Sequence, residues 1–175
     1  MSDAPRRLIP RPSARLQFRE MTEHDLDDMA QMLGDSETMK FYPAPKTRVE
    51  SAEWISRNQQ RYARDGHGLW IIEHDGSFVG DCGITWQSYN GIAVREVGYH
   101  VRHDLTRRGY ATEAAMACVV LAREVFAPSR LTAIIHPENV ASLRVAEHLG
   151  MAHIADDRAH PWIVRTVMGM QLESD

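Results

Sequence analysis

Residues 103–114 read His103-Asp104-Leu105-Thr106-Arg107-Arg108-Gly109-Tyr110-Ala111-Thr112-Glu113-Ala114, a turn with two arginines and a glycine that empties into a helical pattern. Upstream, residues 96–101 alternate as a strand does. Downstream, small or apolar residues recur at Ala111, Ala114, Ala115, Cys118, Val119, Ala122 and Val125, the period of one helix face over 109–126. Strand, turn and helix in that order read either as an anion cradle or as a solvated turn. The first backbone N–H groups of a helix have no partner inside it and lie at the positive end of its dipole. Gly109 lets backbone approach a ligand closely, and Arg107 and Arg108 add charge. The Gly-x-x-x-x-Gly-Lys-Ser/Thr pattern of nucleoside triphosphate sites and the Gly-x-Gly-x-x-Gly of dinucleotide sites are both absent.

Around this turn the chain divides by period. Before Gly68 the apolar residues recur at helical spacing, in a helix carrying Leu26, Met29, Ala30 and Leu33 behind a Thr22 cap and in a second over 48–64. A short strand holding Leu16 and Phe18 precedes them. After Gly68, strands at 69–73, 78–86 and 92–101 flank Asp75-Gly76 and Asn90-Gly91, both strong hairpin dipeptides, and so predict an antiparallel meander. Past the long helix come a buried strand at 131–135, a helix over 139–149 stopped by Gly150, and a last strand at 163–170. The order predicts a mixed α/β fold in one domain over 14–175, with the Pro-, Arg- and Ser-rich residues 1–13 as a mobile tail.

Composition narrows the function. A chain of 175 residues with 43% hydrophobic side chains supports one core. A net charge of -4 gives no basic field to draw it to nucleic acid or a membrane surface, and slightly favours a cationic partner. Cys82 and Cys118 are too few for a disulfide scaffold and read as free thiols. No apolar run approaches the roughly 18 residues of a membrane span, so a cytoplasmic location is expected.

The cradle and its surroundings resemble the GNAT superfamily of N-acetyltransferases. That family's signature is Gln/Arg-x-x-Gly-x-Gly/Ala. Gly109 and Ala111 match its last fixed positions, and Thr106 departs from it where Gln or Arg is usual. Arg95-Glu96-Val97-Gly98-Tyr99-His100-Val101 is similar to the family's strand before the turn, and residues 139–151 to its next helix. Leu16 to Arg19, Asp25-Leu26, Met39 to Pro43 and Gly68-Leu69-Trp70 are similar to the branch of ribosomal-protein N-terminal acetyltransferases, so the likeness covers about 15–172. It implies a mostly antiparallel sheet flanked by helices, whose fourth and fifth strands splay apart to receive acetyl-CoA. It further implies pantetheine against Tyr99 and Val101, and pyrophosphate against Arg107, Arg108, Gly109, Tyr110, Ala111 and Thr112. The thioester then points toward Asn139 and Ser142, and an amine, on a protein N-terminus or a small molecule, is the acceptor. A homodimer is compatible with the family.

Aminolysis of a thioester needs a neutral amine, a donor toward the charge that develops on oxygen, and support for the departing thiolate. Ser142 is the candidate donor to the thiolate, and Asn139 the candidate to orient cofactor or water. Either is equally the cap or first turn of its helix. Many relatives place a Tyr there, and residues 139–151 contain none. Glu96 and His100, on one strand face, are the candidate bases, with Asp156 and Asp157 as rivals. An α-amine with a pKa near 8 is about 10% neutral at pH 7 and a lysine below about 0.1%, so the first makes the smaller demand on a base. His100 and His103 point to opposite strand faces with no third ligand at metal spacing, so no metal is expected. Trp86, Phe41, Tyr42 and Trp162 are candidates to line the acceptor cleft. The alternative reading is a non-catalytic acyl-CoA-binding or sensor domain, to which Thr106 and the missing Tyr lend weight.

Overall fold

The computed structural model describes residues 6–173. Its centre is the meander: β2 (Leu69–His74) and β3 (Ser77–Tyr89) join at Asp75-Gly76, and β3 and β4 (Ile92–Val101) at Asn90-Gly91. In both turns the two central residues take positive φ, which Asp, Asn and Gly tolerate best. β1 (Gln17–Arg19) pairs with the outer edge of β2. β5 (Ser129–Ile135), β6 (Ala152–Asp157) and β7 (Arg165–Leu172) complete a seven-stranded sheet in the order β1-β2-β3-β4-β5-β7-β6. Every pairing is antiparallel except β4 with β5.

Helices cover both faces. A 3-10 turn at Glu23–Asp25 leads into α1 (Leu26–Leu33). α2 (Arg48–Asp65) starts at Thr47, which accepts the Glu50 N–H while the Glu50 carboxylate accepts the Thr47 N–H. These two bury Met29, Leu33 and Ile55 with Leu69 and Ile71 of β2. On the other face α3 (Tyr110–Phe126) and α4 (Val140–His148) bury Ala114, Cys118, Ala122 and Ala146 with Cys82, Ile84, Val97 and Leu131. The two thiols meet there, with Cys82 and Cys118 Sγ atoms 3.6 Å apart and both residues buried and free.

The parting of β4 from β5 positions the candidate site. β4 and β5 pair only at Arg95 with Leu131 and Glu96 with Thr132, and past that point β5 continues along β7 alone. This is the splay expected between the fourth and fifth strands. Residues 152–157 form a strand that the sequence did not reveal, and the last strand begins at Arg165 rather than at 163. Of the segment expected as a tail, residues 1–5 lie outside the described residues. Over 6–13, the Leu8 N–H donates to the Gly66 carbonyl at 2.8 Å, Pro10 is buried, and Ser13 Oγ donates to Glu113 at 2.7 Å.

Candidate active site

Strand alternation sorts β4 into two working faces. Val97 and Tyr99 turn toward α3 and α4, while Glu96 and His100 turn toward α1 and α2, with Gly98 between them. A Cβ at Gly98 would meet only the Leu69 side chain at 3.6 Å and Glu96 Oε1 at 3.8 Å, ordinary contacts, so the missing side chain leaves room in front of the Glu96 carboxyl.

Glu96 sits where the strands part. Its Oε2 accepts the Ile134 backbone N–H at 3.0 Å, reaching across the gap to β5, and Thr132 Oγ1 donates to the Arg95 carbonyl at 2.9 Å. The residue is half-buried, but its carboxyl lies among protein atoms. This desolvation raises its pKa from 4.5 to about 7, against the opposing pull of the Ile134 N–H, Arg165 and His100. A carboxylate that titrates near neutrality suits a general base. The rival carboxylates are otherwise engaged. Asp157 is buried and accepts from the Asn90 N–H at 2.9 Å and from Arg165 Nε at 2.8 Å, tying the tip of the β3–β4 hairpin to β6. Asp156 pairs with His153 and Arg158 on the surface.

Across the gap, the Tyr99 hydroxyl donates to the Ser142 carbonyl at 2.9 Å. Burial holds the Tyr99 phenol in its neutral form, its pKa pushed well above the ordinary tyrosine value. Asn139 caps α4, its side chain accepting the Ser142 N–H at 3.1 Å. Ser142 is thus fixed through both its backbone groups. Its Oγ makes no hydrogen bond among the described residues and is half-buried.

The turn before α3 has the geometry of a cradle. Arg107 and Gly109 take φ of +62 and +80, and the exposed Gly109 is the N-cap of a 17-residue helix. A Cβ on Gly109 would find only Arg15 Nη2, at 3.5 Å, so the outer face of the turn is uncrowded at this residue. Arg107 and Arg108 are exposed there. Thr106 Oγ1 donates to the His103 carbonyl at 2.8 Å, so the departure from the family pattern puts a turn-forming hydroxyl in place of a longer side chain. Ala111 and Thr112 are half-buried in the first turn of α3. Tyr110 can offer only its backbone, because its ring is buried beneath Arg15, with the guanidinium 4.5 Å from the ring centroid, and its hydroxyl meets His74 at 2.8 Å. A groove of about 1020 Å³ along the outer face of α3 touches this turn at Gly109 and Thr112 but none of its lining comes from β4, β5 or α4, so it is separate from the splay.

Of the four aromatic residues expected at an acceptor cleft, two lie at the splay. The Phe41 ring meets His136, just past β5, at 5.1 Å between centroids, and the Tyr42 ring meets His100 of β4 at 5.6 Å. The connection between α1 and α2 therefore bridges the mouth of the gap. Trp86 is elsewhere: Arg95 lies over its ring and over Phe126 of α3, on the opposite face of the sheet. Trp162 projects from the β6–β7 connection, 74% exposed, against His160.

One group was missed in the sequence. Asp81 of β3, fully buried, pairs with His100 Nδ1 at 2.6 Å and accepts Trp54 Nε1 at 3.0 Å, and His100 Nε2 lies 2.5 Å from the Tyr42 hydroxyl. A signal for Asp81 was present: the two-residue turn at Asn90-Gly91 sets Tyr89 opposite Ile92, and equal steps back along both strands set Asp81 opposite His100.

This architecture is shared. A profile of the acetyltransferase (GNAT) domain matches residues 15–152. The Bacillus subtilis protein YkkB is 35% identical over 140 residues, covering 78% of this chain and 81% of YkkB. The crystal structure of an acetyltransferase from Agrobacterium tumefaciens superposes with a TM-score of 0.81 at 21% identity, over 98% of this chain and 99% of that one. RimL, a ribosomal L7/L12 α-N-protein acetyltransferase in complex with coenzyme A, superposes with a TM-score of 0.77 at 14% identity, over 96% and 100%. The chain belongs to the GNAT family and is an acetyl-CoA-dependent acetyltransferase.

Proposed function

We propose that the chain moves the acetyl group of acetyl-CoA directly onto a primary amine, either a protein N-terminus or a small molecule, without a covalent enzyme intermediate. The observation that carries this reading is the Glu96 carboxyl, held by the Ile134 N–H where β4 and β5 part, with burial pushing its pKa up to about 7. Such a group takes the proton of an ammonium and leaves a neutral, nucleophilic amine. The α-N-protein acetyltransferase of the same fold supports an α-amine as acceptor, since that amine makes the smaller demand on a base.

The residues then divide the work. Acetyl-CoA supplies the activated acetyl group. Arg107, Arg108 and the N–H groups of residues 109–112 would hold its pyrophosphate, and backbone of Tyr99 and Val101 its pantetheine amides. Ser142 Oγ would donate to the sulfur, steadied by the Asn139 cap on its own N–H. Glu96 would accept the amine proton from the opposite side of the gap.

The test is thiol release from acetyl-CoA against a panel of amines, with mass spectrometry of the products. Acetylated amine in step with released thiol is expected. Binding of acetyl-CoA without turnover of any amine would identify an acyl-CoA sensor and sink the proposal.

A further inference from the structure

Of the 20 Lys and Arg side chains in the sequence, only Lys40 and Lys46 are lysines. A guanidinium stays protonated at any working pH and is no acceptor for an acyl group, so these two are the only side chains of the protein that offer a primary amine. Both stand in the connection between α1 and α2, whose Phe41 and Tyr42 lie at the splay. A chain built to acetylate amines thus carries its own two beside the mouth of the site and none elsewhere.

The two ammonium groups are placed differently. Lys40 is exposed, and its Nζ lies 5.7 Å from the centre of the Phe41 ring. Phe41 in turn meets His136 at 5.1 Å, and the His136 carbonyl accepts the Asn139 N–H at 2.9 Å, at the cap that holds Ser142. Two ring contacts and one hydrogen bond therefore join Lys40 to the side of the gap on which Ser142 would meet the thioester. Lys46 is half-buried, with Nζ 5.5 Å from the centre of the Trp54 ring, and that indole donates to the buried Asp81, so Lys46 lies along α2. Each ammonium rests on a ring rather than against a carboxylate among the described residues. The backbone under Lys40 is firmly held: Met39 is buried, its N–H donates to the Asp35 carbonyl at 3.0 Å, and the Tyr42 N–H donates to the Met39 carbonyl at 2.9 Å. The flexible four-carbon stem above it can turn.

We propose that Lys40 is a modification site, acetylated by the chain's own active centre when acetyl-CoA is bound and no other amine is present. The inference rests on the amine-acceptor reading above and extends it to an amine of the chain itself. Turned from the Phe41 ring into the gap, Lys40 Nζ gives its ammonium proton to Glu96 and attacks the thioester carbonyl. The amide C–N bond forms as the C–S bond breaks, and a second proton goes from the nitrogen to the leaving thiolate. Each event makes one acetyl-lysine and one coenzyme A thiol. Tethering offsets the small neutral fraction of a lysine, below about 0.1% at pH 7, because a nucleophile on the same chain is presented at an effective concentration far above that of a dissolved amine. The product is a neutral amide in place of the exposed ammonium at the mouth.

The test incubates the purified chain with acetyl-CoA at pH 8 without an acceptor and follows acetyl groups by intact-mass and peptide mass spectrometry. Lys40 should gain its acetyl group at least about tenfold faster than Lys46, with a rate constant that saturates in acetyl-CoA and does not change with protein concentration. Excess free coenzyme A, which competes for the centre but not for chemistry in solution, should suppress the gain by about tenfold or more, and so should any amine that wild type turns over well. Lys40→Arg keeps a cation beside Phe41 and should gain no acetyl group at that position while turning over added amines as wild type does. Equal rates on both lysines, or a gain that coenzyme A leaves untouched, would mark solution chemistry and overturn the proposal. A rate constant that rises with protein concentration would overturn it too, since the transfer would then run between molecules. Turnover of added amines with Lys40 left unmodified removes only this site, whereas a wild type that acetylates neither Lys40 nor any added amine removes the amine-acceptor reading with it.

Discussion

Replacing Glu96 by Gln separates the stability cost of this carboxyl from its use, because the two depend on pH in known directions. Burial moves the Glu96 pKa from 4.5 to about 7. Between those values the folded chain holds a proton that the unfolded chain has released, so stability falls as pH rises through the window. At about 1.4 kcal/mol per pH unit the fall is at most about 3 kcal/mol, and solvent that reaches the splay trims it to about 2–3 kcal/mol. Glu96→Gln keeps an oxygen to accept the Ile134 N–H and cannot ionise. Any fixed cost of burying its amide is the same at every pH. The variant should therefore gain on wild type by that amount between pH 5 and pH 8, which for a chain of this size is a relative rise in Tm of about 4–12 °C. Over the same range it should lose about 100- to 10,000-fold in kcat, together with the limb of the wild-type pH profile that rises near 7. Calorimetric scans at the two pH values and steady-state kinetics across them make the assay. A Tm difference that is the same at both pH values would refute the burial argument, and an unchanged kcat would refute the base.

Three further outcomes follow from the same geometry. Arg107→Glu with Arg108→Glu, on an exposed turn, should leave Tm nearly unchanged and weaken acetyl-CoA binding by about 1–3 kcal/mol in titration calorimetry, where unchanged affinity rejects the cradle. Ser142→Ala removes only an Oγ, since the Asn139 cap and the Tyr99 bond engage Ser142 backbone. It should lower kcat about 10- to 1000-fold with acetyl-CoA affinity within a few-fold, and full kcat would make Ser142 a helix residue and nothing more. Asp157→Ala should lower stability by about 2–3 kcal/mol by leaving Arg165 and the Asn90 N–H without their partner, and should leave kcat near wild type. A large kcat loss in a stably folded variant would return Asp157 to the list of bases.

Much of this arrangement was legible because its signals are local. The two hairpin dipeptides marked the meander, and Gly109 marked the turn into the long helix. The alternation of β4 put Glu96 and His100 on one face before any contact was known. The strand at Ala152–Asp157 was not legible, because its two consecutive aspartates and the lack of an alternating apolar face look like a loop until Asp157 is seen against Arg165 and Asn90. Tyr42 was named as a cleft aromatic, but its partner lies 58 positions away and no spacing rule joins them. Trp86, one of the candidates to line the cleft, lies instead with Arg95 and Phe126. It shares a face with Cys82 and Ile84, the residues that pack under α3, as the two-residue period of β3 requires.

The gap in the sheet is spanned by side chains where a backbone ladder would otherwise run. Just past the last paired residues, Glu96 reaches the Ile134 N–H of β5, and further along Tyr99 reaches the Ser142 carbonyl of α4. A ladder would close β4 onto β5 and leave no room for a thioester, while an open edge would leave the Ile134 N–H unpaired, at a cost of about 1–3 kcal/mol wherever water is excluded. A carboxylate in place of the missing strand partner satisfies that N–H and leaves the space. Its other oxygen, Oε1, lies 3.8 Å from where a Cβ on Gly98 would stand, so it faces the room that glycine keeps clear. A longer strand contact or a larger residue at position 98 would improve the sheet and crowd the Glu96 carboxyl. The position of Glu96 is therefore set by the broken ladder, and burial among protein atoms raises its carboxyl pKa to about 7.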